Sequence, residues 1–317
     1  MGIFDSLRIG VHLLVFSYFN IVNAQLTVSD YDAWESEVEK VYDNMMAAFS
    51  SDPATCLATK SAGTETIINT FTADCSTTIF NGNCVVVITR AVAPTKVPHL
   101  GVYFRYPNNL KDFADNIPTK VKLQLSGYDT TNTWGLIGYD YIFAFKALLS
   151  AGLSDYMYEL WSTDCDKVVY SVGHSAGAAL AEIFGLWLVK TDLWKREGIY
   201  VYSFGTPRVG NQMFSANVFN AVYMPYRIVF LNDTISQYPP TTCNRTTQPS
   251  TTQFNPCFSH FGFTFWYNAW TSPTTFNVQK CSICEDPACD DNGKDPAQHY
   301  AYFGYDLSNY DSGVCKP

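Results

Sequence analysis

The sequence alternates between strand-like apolar runs and helical patterns over most of its length. Five mostly apolar runs have the length of buried strands, at residues 84–90, 99–104, 167–172, 200–204 and 226–231. Helical patterns lie at residues 31–49, 141–151, 176–190 and 212–222. Strands that alternate with helices favour parallel pairing, because each helix carries the chain back along the sheet. The sequence therefore predicts an α/β fold with a mostly parallel central sheet and helices on both faces.

Size and charge restrict the organisation and the partners of the chain. The chain has 317 residues, of which 47% are hydrophobic, and no Pro/Ser-rich or low-complexity linker divides it. We therefore expect one domain. Charged residues make up 15% of the chain and the net charge is -9, so the basic stripe that binds a phosphate backbone is missing. We expect no nucleic-acid partner.

The first two dozen residues have the pattern of a secretory signal peptide. Arg8 precedes an apolar run over residues 9–21, and Ala24 is a suitable residue before a cleavage site. The run is too short to span a membrane stably and is interrupted by Asn20. We predict a signal peptide over 1–24, a single domain over 25–317 and secretion to the extracellular space. The alternative is myristoylation of Gly2, which the residues that follow it also permit.

Ten cysteines follow the predicted cleavage site, and an even number in an exported chain favours disulfides. Cys281, Cys284 and Cys289 could instead bind a metal, but a zinc site needs a fourth ligand. We expect disulfides and no metal. The pairing cannot be derived from the sequence, although a bond between Cys281 and Cys289 would close a short loop.

The residues Gly173-His174-Ser175-Ala176-Gly177 lie directly after one predicted strand and directly before a predicted helix. This position and this spacing of glycines are those of a nucleophile elbow, a turn so sharp that only residues without side chains let the strand and the helix approach. The alternative is a structural turn without catalysis. The pattern favours Ser175 as a nucleophile.

A serine nucleophile needs a histidine base, and four histidines follow the predicted cleavage site: His99, His174, His260 and His299. Hydrolases with this elbow place the nucleophile, the acid and the base in that chain order, which disfavours His99. His174 is too close to Ser175 in the chain to reach its hydroxyl. His260 and His299 both remain as candidates.

Asp233 is the candidate acid, because it follows the run 226–231 at the carboxyl end of a predicted strand, where open parallel sheets build their sites. The alternative role for Asp233 is that of an ordinary loop aspartate.

Several segments together resemble the class 3 (fungal-type) lipase family, and especially its secreted nematode branch, over most of the predicted mature chain. They are MMAAFSSDPATCL at 45–57, GHSAGAALA from Gly173, SFGTPRVGN from Ser203, RIVFLNDTISQYPP from Arg227 and QHYAYFG from Gln298. The resemblance implies an α/β-hydrolase fold and a serine hydrolase that cleaves carboxylic esters of lipids.

The resemblance also assigns the remaining roles. The family's acid falls on Asp233 and its base on His299, while His260 matches a histidine that lies near the site without being the base. Ser175, Asp233 and His299 would then form a catalytic triad for acyl transfer with no metal or organic cofactor. Because Asp233 would be buried against His299, we expect the sequon at Asn232 to lie too deep for glycosylation, which leaves the sequon at Asn244.

The segment after Phe104 and Arg105 departs from the family pattern. The family places its oxyanion donor where this chain has Pro107, and proline has no N–H. The expected oxyanion hole therefore consists of the N–H of Ala176 and a donor from Asn108. The departure also permits a second class of function, a weakly active or noncatalytic lipid-binding protein.

Residues 108–117 resemble the family's lid. Leu110, Phe113 and Ile117 recur at helical spacing with charged residues between them, so one face is apolar. We expect either a lid that opens at a lipid–water interface or a surface helix packed on the sheet. The expected partner is a lipid or other ester substrate.

Overall fold

The computed structural model describes residues 28–77, 81–91, 98–106, 125–128, 133–164, 167–239, 258–272, 275–281 and 295–307. The predicted signal peptide, Pro107, Asn108, the lid residues Leu110, Phe113 and Ile117, and Asn244 lie outside these ranges. The chain divides into two units, residues 1–40 and residues 41–317. The described part of the first unit is helical, and the second unit contains the sheets.

An eight-stranded sheet organises the second unit. Its strands are β1 (Glu65–Asp74), β2 (Asn83–Ala91), β3 (His99–Arg105), β6 (Val168–His174), β7 (Ile199–Phe204), β9 (Met224–Phe230), β11 (Phe263–Ser272) and β12 (Thr275–Cys281), and they pair in that order. The central strands from β3 to β11 pair in parallel. The outer pairs β1–β2, β2–β3 and β11–β12 are antiparallel. The predicted α/β fold with a mostly parallel central sheet is confirmed.

A second, four-stranded sheet is made of short segments that the sequence did not predict. Its strands are β4 (Leu125–Gly127), β5 (Leu136–Gly138), β8 (Gly210–Asn211) and β10 (Phe258–Ser259), in the order β10-β8-β5-β4. β8 follows β7, and β10 ends directly before His260. This sheet therefore includes segments close in the chain to the predicted site.

Six α-helices accompany the sheets in the part of the chain that the structure describes. They are α1 (Val28–Ala48), α2 (Pro53–Lys60), α3 (Tyr139–Leu148), α4 (Ser154–Asp164), α5 (Ala176–Lys190) and α6 (Gln212–Ala221). A π-helical turn, Leu149–Leu153, joins α3 to α4. α5 is apolar on nearly all sides and is buried from Ala176 to Leu188. It packs against the strands β3, β6 and β7 and against the helices α3 and α6. No helix among these residues is long and apolar enough to cross a membrane.

A disulfide joins Cys75, which follows β1, to Cys84 in β2, and both side chains are fully buried. Cys56 is also disulfide-bonded. The prediction of disulfides is thus confirmed for these cysteines, while Cys289, the suggested partner of Cys281, lies outside the described residues. The carbonyl of Cys75 accepts a hydrogen bond of 2.8 Å from the hydroxyl of Tyr106. This bond fixes the end of β3 to the disulfide-linked hairpin.

The buried helix α5 carries one carboxyl group, that of Glu182. The hydroxyl of Thr206 donates a 3.0 Å hydrogen bond to Glu182 Oε1, and the residue is 2% exposed. Burial raises the pKa of Glu182 to about 8, although Thr206, Ser203 and Arg227 favour the ionised form. The folded protein therefore keeps this carboxyl protonated at a pH where the unfolded chain has lost the proton.

This difference predicts a pH-dependent effect of Glu182→Gln on stability. As pH rises from the ordinary carboxyl range toward about 8, the unfolded chain ionises first, so Glu182 progressively destabilises the fold. Glutamine cannot ionise, and the gain in unfolding free energy should grow from near zero at pH 4 to on the order of 4 kcal/mol at pH 8. Urea unfolding of both proteins across this range measures the gain. The exposed Glu197→Gln is the control, and a Glu182→Gln curve that runs parallel to the wild type would contradict the prediction.

Candidate active site

Ser175 occupies the turn between β6 and α5 in a conformation that side chains rarely adopt. Its φ is 58° and its ψ is -128°, and the residue is fully buried. The N–H of Ser175 donates a 2.9 Å hydrogen bond to the carbonyl of Phe204 at the end of β7. The neighbouring strand thus holds the turn that presents the hydroxyl.

The two glycines of the elbow are required because backbone occupies the space of their missing side chains. A Cβ at Gly173 would overlap the backbone of Gly177, and a Cβ at Gly177 would overlap the carbonyl oxygen of Phe104. The strand, the turn and the helix therefore pack with no room for a methyl group between them. The Ser171 hydroxyl, which donates to the carbonyl of Ala181 at 2.8 Å, adds a polar contact between β6 and α5.

The structure brings the three predicted residues together in one hydrogen-bonded chain. His299 Nε2 lies 2.8 Å from Ser175 Oγ, and His299 Nδ1 lies 3.0 Å from each carboxylate oxygen of Asp233. All three side chains are buried. The partners indicate a proton on Nδ1, which donates to Asp233, and a lone pair on Nε2, which accepts from the serine hydroxyl.

Backbone contacts join the segment that carries Asp233 to the segment that carries His299. Asp233 forms an isolated parallel bridge with Asp295, whose N–H donates to the carbonyl of Asn232 at 3.2 Å. Asp295 then caps the short 3₁₀ helix Pro296–Tyr300, accepting from the N–H of Ala297 at 2.9 Å. His299 is thereby placed on a capped turn that starts beside the aspartate.

The carboxylate of Asp233 has two further donors. Its Oδ1 accepts from the N–H of Ile235 at 2.8 Å, and its Oδ2 accepts from the hydroxyl of Tyr302 at 2.6 Å. The carbonyl of Asp233 accepts from the Ser236 hydroxyl at 2.8 Å. Sequence reasoning missed Tyr302, which begins a separate short turn after the helix that carries His299, so no helical spacing marks its contact with Asp233.

His260 lies away from the serine hydroxyl and has its own partners. Its Nε2 is 2.7 Å from the carbonyl of Ser236 and 3.2 Å from an Arg227 nitrogen. Burial holds the pKa of His260 well below its usual range, and the charges of Arg227 and Arg208 lower it further. A neutral His260 donates to the loop that follows Asp233, so it supports that loop.

His174, the residue before Ser175, packs against His299 and Tyr302. Its ring centroid is 4.7 Å from that of His299 and 4.9 Å from that of Tyr302. Burial holds its pKa well below the usual range, and the neighbouring His299 lowers it further. An uncharged His174 therefore lines the site beside His299 without adding charge to it.

Only one of the two expected oxyanion donors belongs to the described residues. Ala176 is the first residue of α5 and is fully buried, and the first N–H groups of a helix lack acceptors within the helix. Asn108, Pro107 and the lid residues lie outside the described part of the chain.

The expectation that Asn232 lies too deep for glycosylation is wrong. Asp233 is 2% exposed, but Asn232 is an exposed residue. The chain turns directly after β9, with Leu231 at a φ of 46°, so adjacent residues point in different directions. Burial of the aspartate therefore does not imply burial of its neighbour.

Comparisons with known proteins find similarity to lipases. Residues 107–243 match the family model described as lipase (class 3). A lipase of Caenorhabditis elegans is 25% identical over 336 residues, which cover 98% of this chain and 91% of that protein.

The fold is shared with solved lipase structures. A lipase from Rhizopus microsporus var. chinensis superposes with a TM-score of 0.67 at 18% identity, over 88% of this chain and 90% of its own. A triacylglycerol lipase whose catalytic centre is described as a serine protease triad also gives a TM-score of 0.67, at 19% identity, over 92% of this chain and 98% of its own. Both superpositions show a common α/β-hydrolase fold. Residues 107–243 of this chain are thus similar to the class 3 lipase family, and nearly the whole chain is similar to a lipase.

Proposed function

We propose that this protein is a secreted hydrolase that cleaves carboxylic ester bonds of lipids, with Ser175, His299 and Asp233 as its catalytic triad. The observation that supports this most directly is the continuous hydrogen-bonded chain from Ser175 Oγ through His299 to Asp233. The triacylglycerol lipase that shares the fold is described as having a triad of this type, and we propose neutral acylglycerols or related esters as substrates.

The geometry suits a two-step acyl transfer. Ser175 Oγ attacks the ester carbonyl carbon while His299 Nε2 takes the hydroxyl proton, and His299 then returns that proton to the departing alcohol. Water next attacks the acyl-enzyme, giving its proton to His299, and the carboxylic acid leaves as Ser175 regains a proton. Asp233 holds the imidazole with Nδ1 protonated and balances the positive charge that forms on it.

The N-terminus of α5 is placed to stabilise the developing negative charge. The N–H of Ala176 and the positive end of the helix dipole lie directly after the nucleophile. We propose Ala176 as one oxyanion donor and Asn108 as the other. With Pro107 at the usual donor position, we also propose that Asn108 donates less effectively than a residue at that position would, so that hydrolysis is slower than with the usual donor.

Replacement of the nucleophile tests the proposed function. Ser175→Ala should lower the hydrolysis of a short-chain nitrophenyl ester to the background rate, because no other hydroxyl is bonded to His299 Nε2 in the described residues. The wild type should also give a stoichiometric adduct with an active-site phosphonate. Retained turnover in Ser175→Ala would show that another residue is the nucleophile. A wild type that binds lipid but neither turns over nor labels would favour the noncatalytic lipid-binding alternative.

Restoration of a backbone donor tests the role given to Pro107. One oxyanion donor contributes about 10² to 10³ in rate, so Pro107→Ser should raise kcat by roughly tenfold or more if its new N–H reaches the oxyanion. KM should change little, because the donor acts mainly on the transition state. Steady-state kinetics on one soluble ester measures both constants. An unchanged kcat in a folded variant would mean that the second donor already exists elsewhere.

Analysis of the mature N-terminus tests secretion, which the sequence of residues 1–24 and the Cys75–Cys84 disulfide support. Expressed in a secreting host, the protein should appear in the medium with Gln25 as its first residue. An intact chain that retains a lipid-modified Gly2 would contradict the proposal.

In the same sample, mass spectrometry after glycan removal would show whether the exposed Asn232 carries a glycan.

A further inference from the structure

We propose that Tyr302 is a positioning residue for the reaction, which holds the Asp233 carboxylate so that both of its oxygens face His299 Nδ1. This inference rests on the proposed triad and adds a fourth side chain to it. Tyr302 does not touch the reacting atoms, and it acts through Asp233 alone.

Two donors divide the oxygens of the Asp233 carboxylate between them. The Tyr302 hydroxyl donates to Oδ2 at 2.6 Å, and the N–H of Ile235 donates to Oδ1 at 2.8 Å. His299 Nδ1 is 3.0 Å from both oxygens. One donor on each oxygen opposes rotation of the carboxylate, so the symmetric contact with His299 depends on both donors. The backbone supplies one of them, and Tyr302 supplies the other.

Tyr302 is itself held in place. Its hydroxyl accepts a 3.2 Å hydrogen bond from the N–H of Phe230, at the end of β9, and its ring is fully buried. The ring is stacked on Tyr42 with centroids 6.0 Å apart and meets the edge of His174 at 4.9 Å. A side chain fixed by packing and by the sheet can position a partner, whereas a free one cannot.

The space around this hydrogen bond admits no further side chain. Gly205, directly after β7, has a φ of 55°, and a Cβ there would lie 2.8 Å from Asp233 Oδ2 and 2.9 Å from the Tyr302 hydroxyl. Any side chain at this position would push the two groups apart. The fold therefore leaves this volume empty where the tyrosine meets the carboxylate.

The chemistry of the donor also suits the role. Burial raises the pKa of Tyr302 well above its usual range, and the charge of Asp233 raises it further, so the hydroxyl remains a donor throughout the working pH range. The titratable groups that face the hydroxyl are Asp233, Tyr42 and the uncharged His174. A neutral donor orients the carboxylate without a positive charge that would compete with protonated His299.

The test compares two tyrosines that make the same bond. Tyr302→Phe removes the donor to Asp233, and Tyr305→Phe removes a 2.6 Å hydrogen bond from a tyrosine to the carboxylate of Asp43. For Tyr302→Phe we expect kcat to fall roughly tenfold with KM unchanged, as for the loss of one hydrogen bond to a charged group. Tyr305→Phe should leave both constants as in the wild type.

The pH profile separates positioning from a purely structural role. Without the Tyr302 donor, Asp233 keeps more negative charge and stabilises protonated His299 more strongly, so the acidic limb of kcat/KM should move to higher pH. 3-Fluorotyrosine at position 302 keeps the shape of the ring and has a more acidic hydroxyl. It should move the same limb to lower pH, which also keeps the test valid if Tyr302→Phe does not fold.

Two results would overturn the inference. One is an acidic limb that stays in place in both Tyr302 variants, and the other is an equal loss of kcat in Tyr302→Phe and Tyr305→Phe. If Ser175→Ala is inactive and the Tyr302 variants match the wild type, only the role of Tyr302 fails. If Ser175→Ala remains active, the proposed triad fails and the role of Tyr302 fails with it.

Discussion

The contact between the backbone of β6 and the backbone of α5 is the constraint on which the rest of the site depends. Gly173 and Gly177 leave no side chain between strand, turn and helix, and this closeness requires the unusual backbone conformation of Ser175. The turn costs conformational energy of order 1 to 3 kcal/mol, which the surrounding packing must offset. The burial of α5 from Ala176 to Leu188 supplies that packing. The apolar helix therefore stabilises the turn that carries Ser175.

The central strands and helices could be predicted because each is a local pattern. The runs at 99–104 and 200–204 became β3 and β7 with small shifts at their ends. β1 and β11 were harder to predict. β1 is long, but its residues are mostly polar and half-exposed, so it lacks the apolar run that marks a buried strand. β11 lies in an aromatic stretch without the alternation that marks a half-buried strand.

The residues of the candidate site could be predicted where two simple features identify them. These features are their order in the chain and their positions at the ends of strands. Ser175 and Asp233 both follow strands, and the structure brings them to His299. The residues alone left His260 and His299 open, because which histidine meets the serine depends on how a distant turn folds back. The resemblance to the family favoured His299. Tyr302 and the exposure of Asn232 were missed because both depend on the direction of single side chains within tight turns, which no periodicity encodes.

The uncharged groups in and near the site determine how the stability of the fold depends on the pH of the medium. His174 and His260 are neutral when folded, so the stability that depends on them is present above about pH 6.5 and is lost as the medium becomes more acidic. Glu182 has the opposite slope, because its folded form keeps a proton that the unfolded chain has already released. Below pH 6.5 the two histidines change the folding stability in one direction more than the one glutamate changes it in the other. Between pH 6.5 and about 8, only the glutamate changes it. Among these three groups, the balance places greatest stability in surroundings close to pH 6.5, slightly more acidic than neutral water.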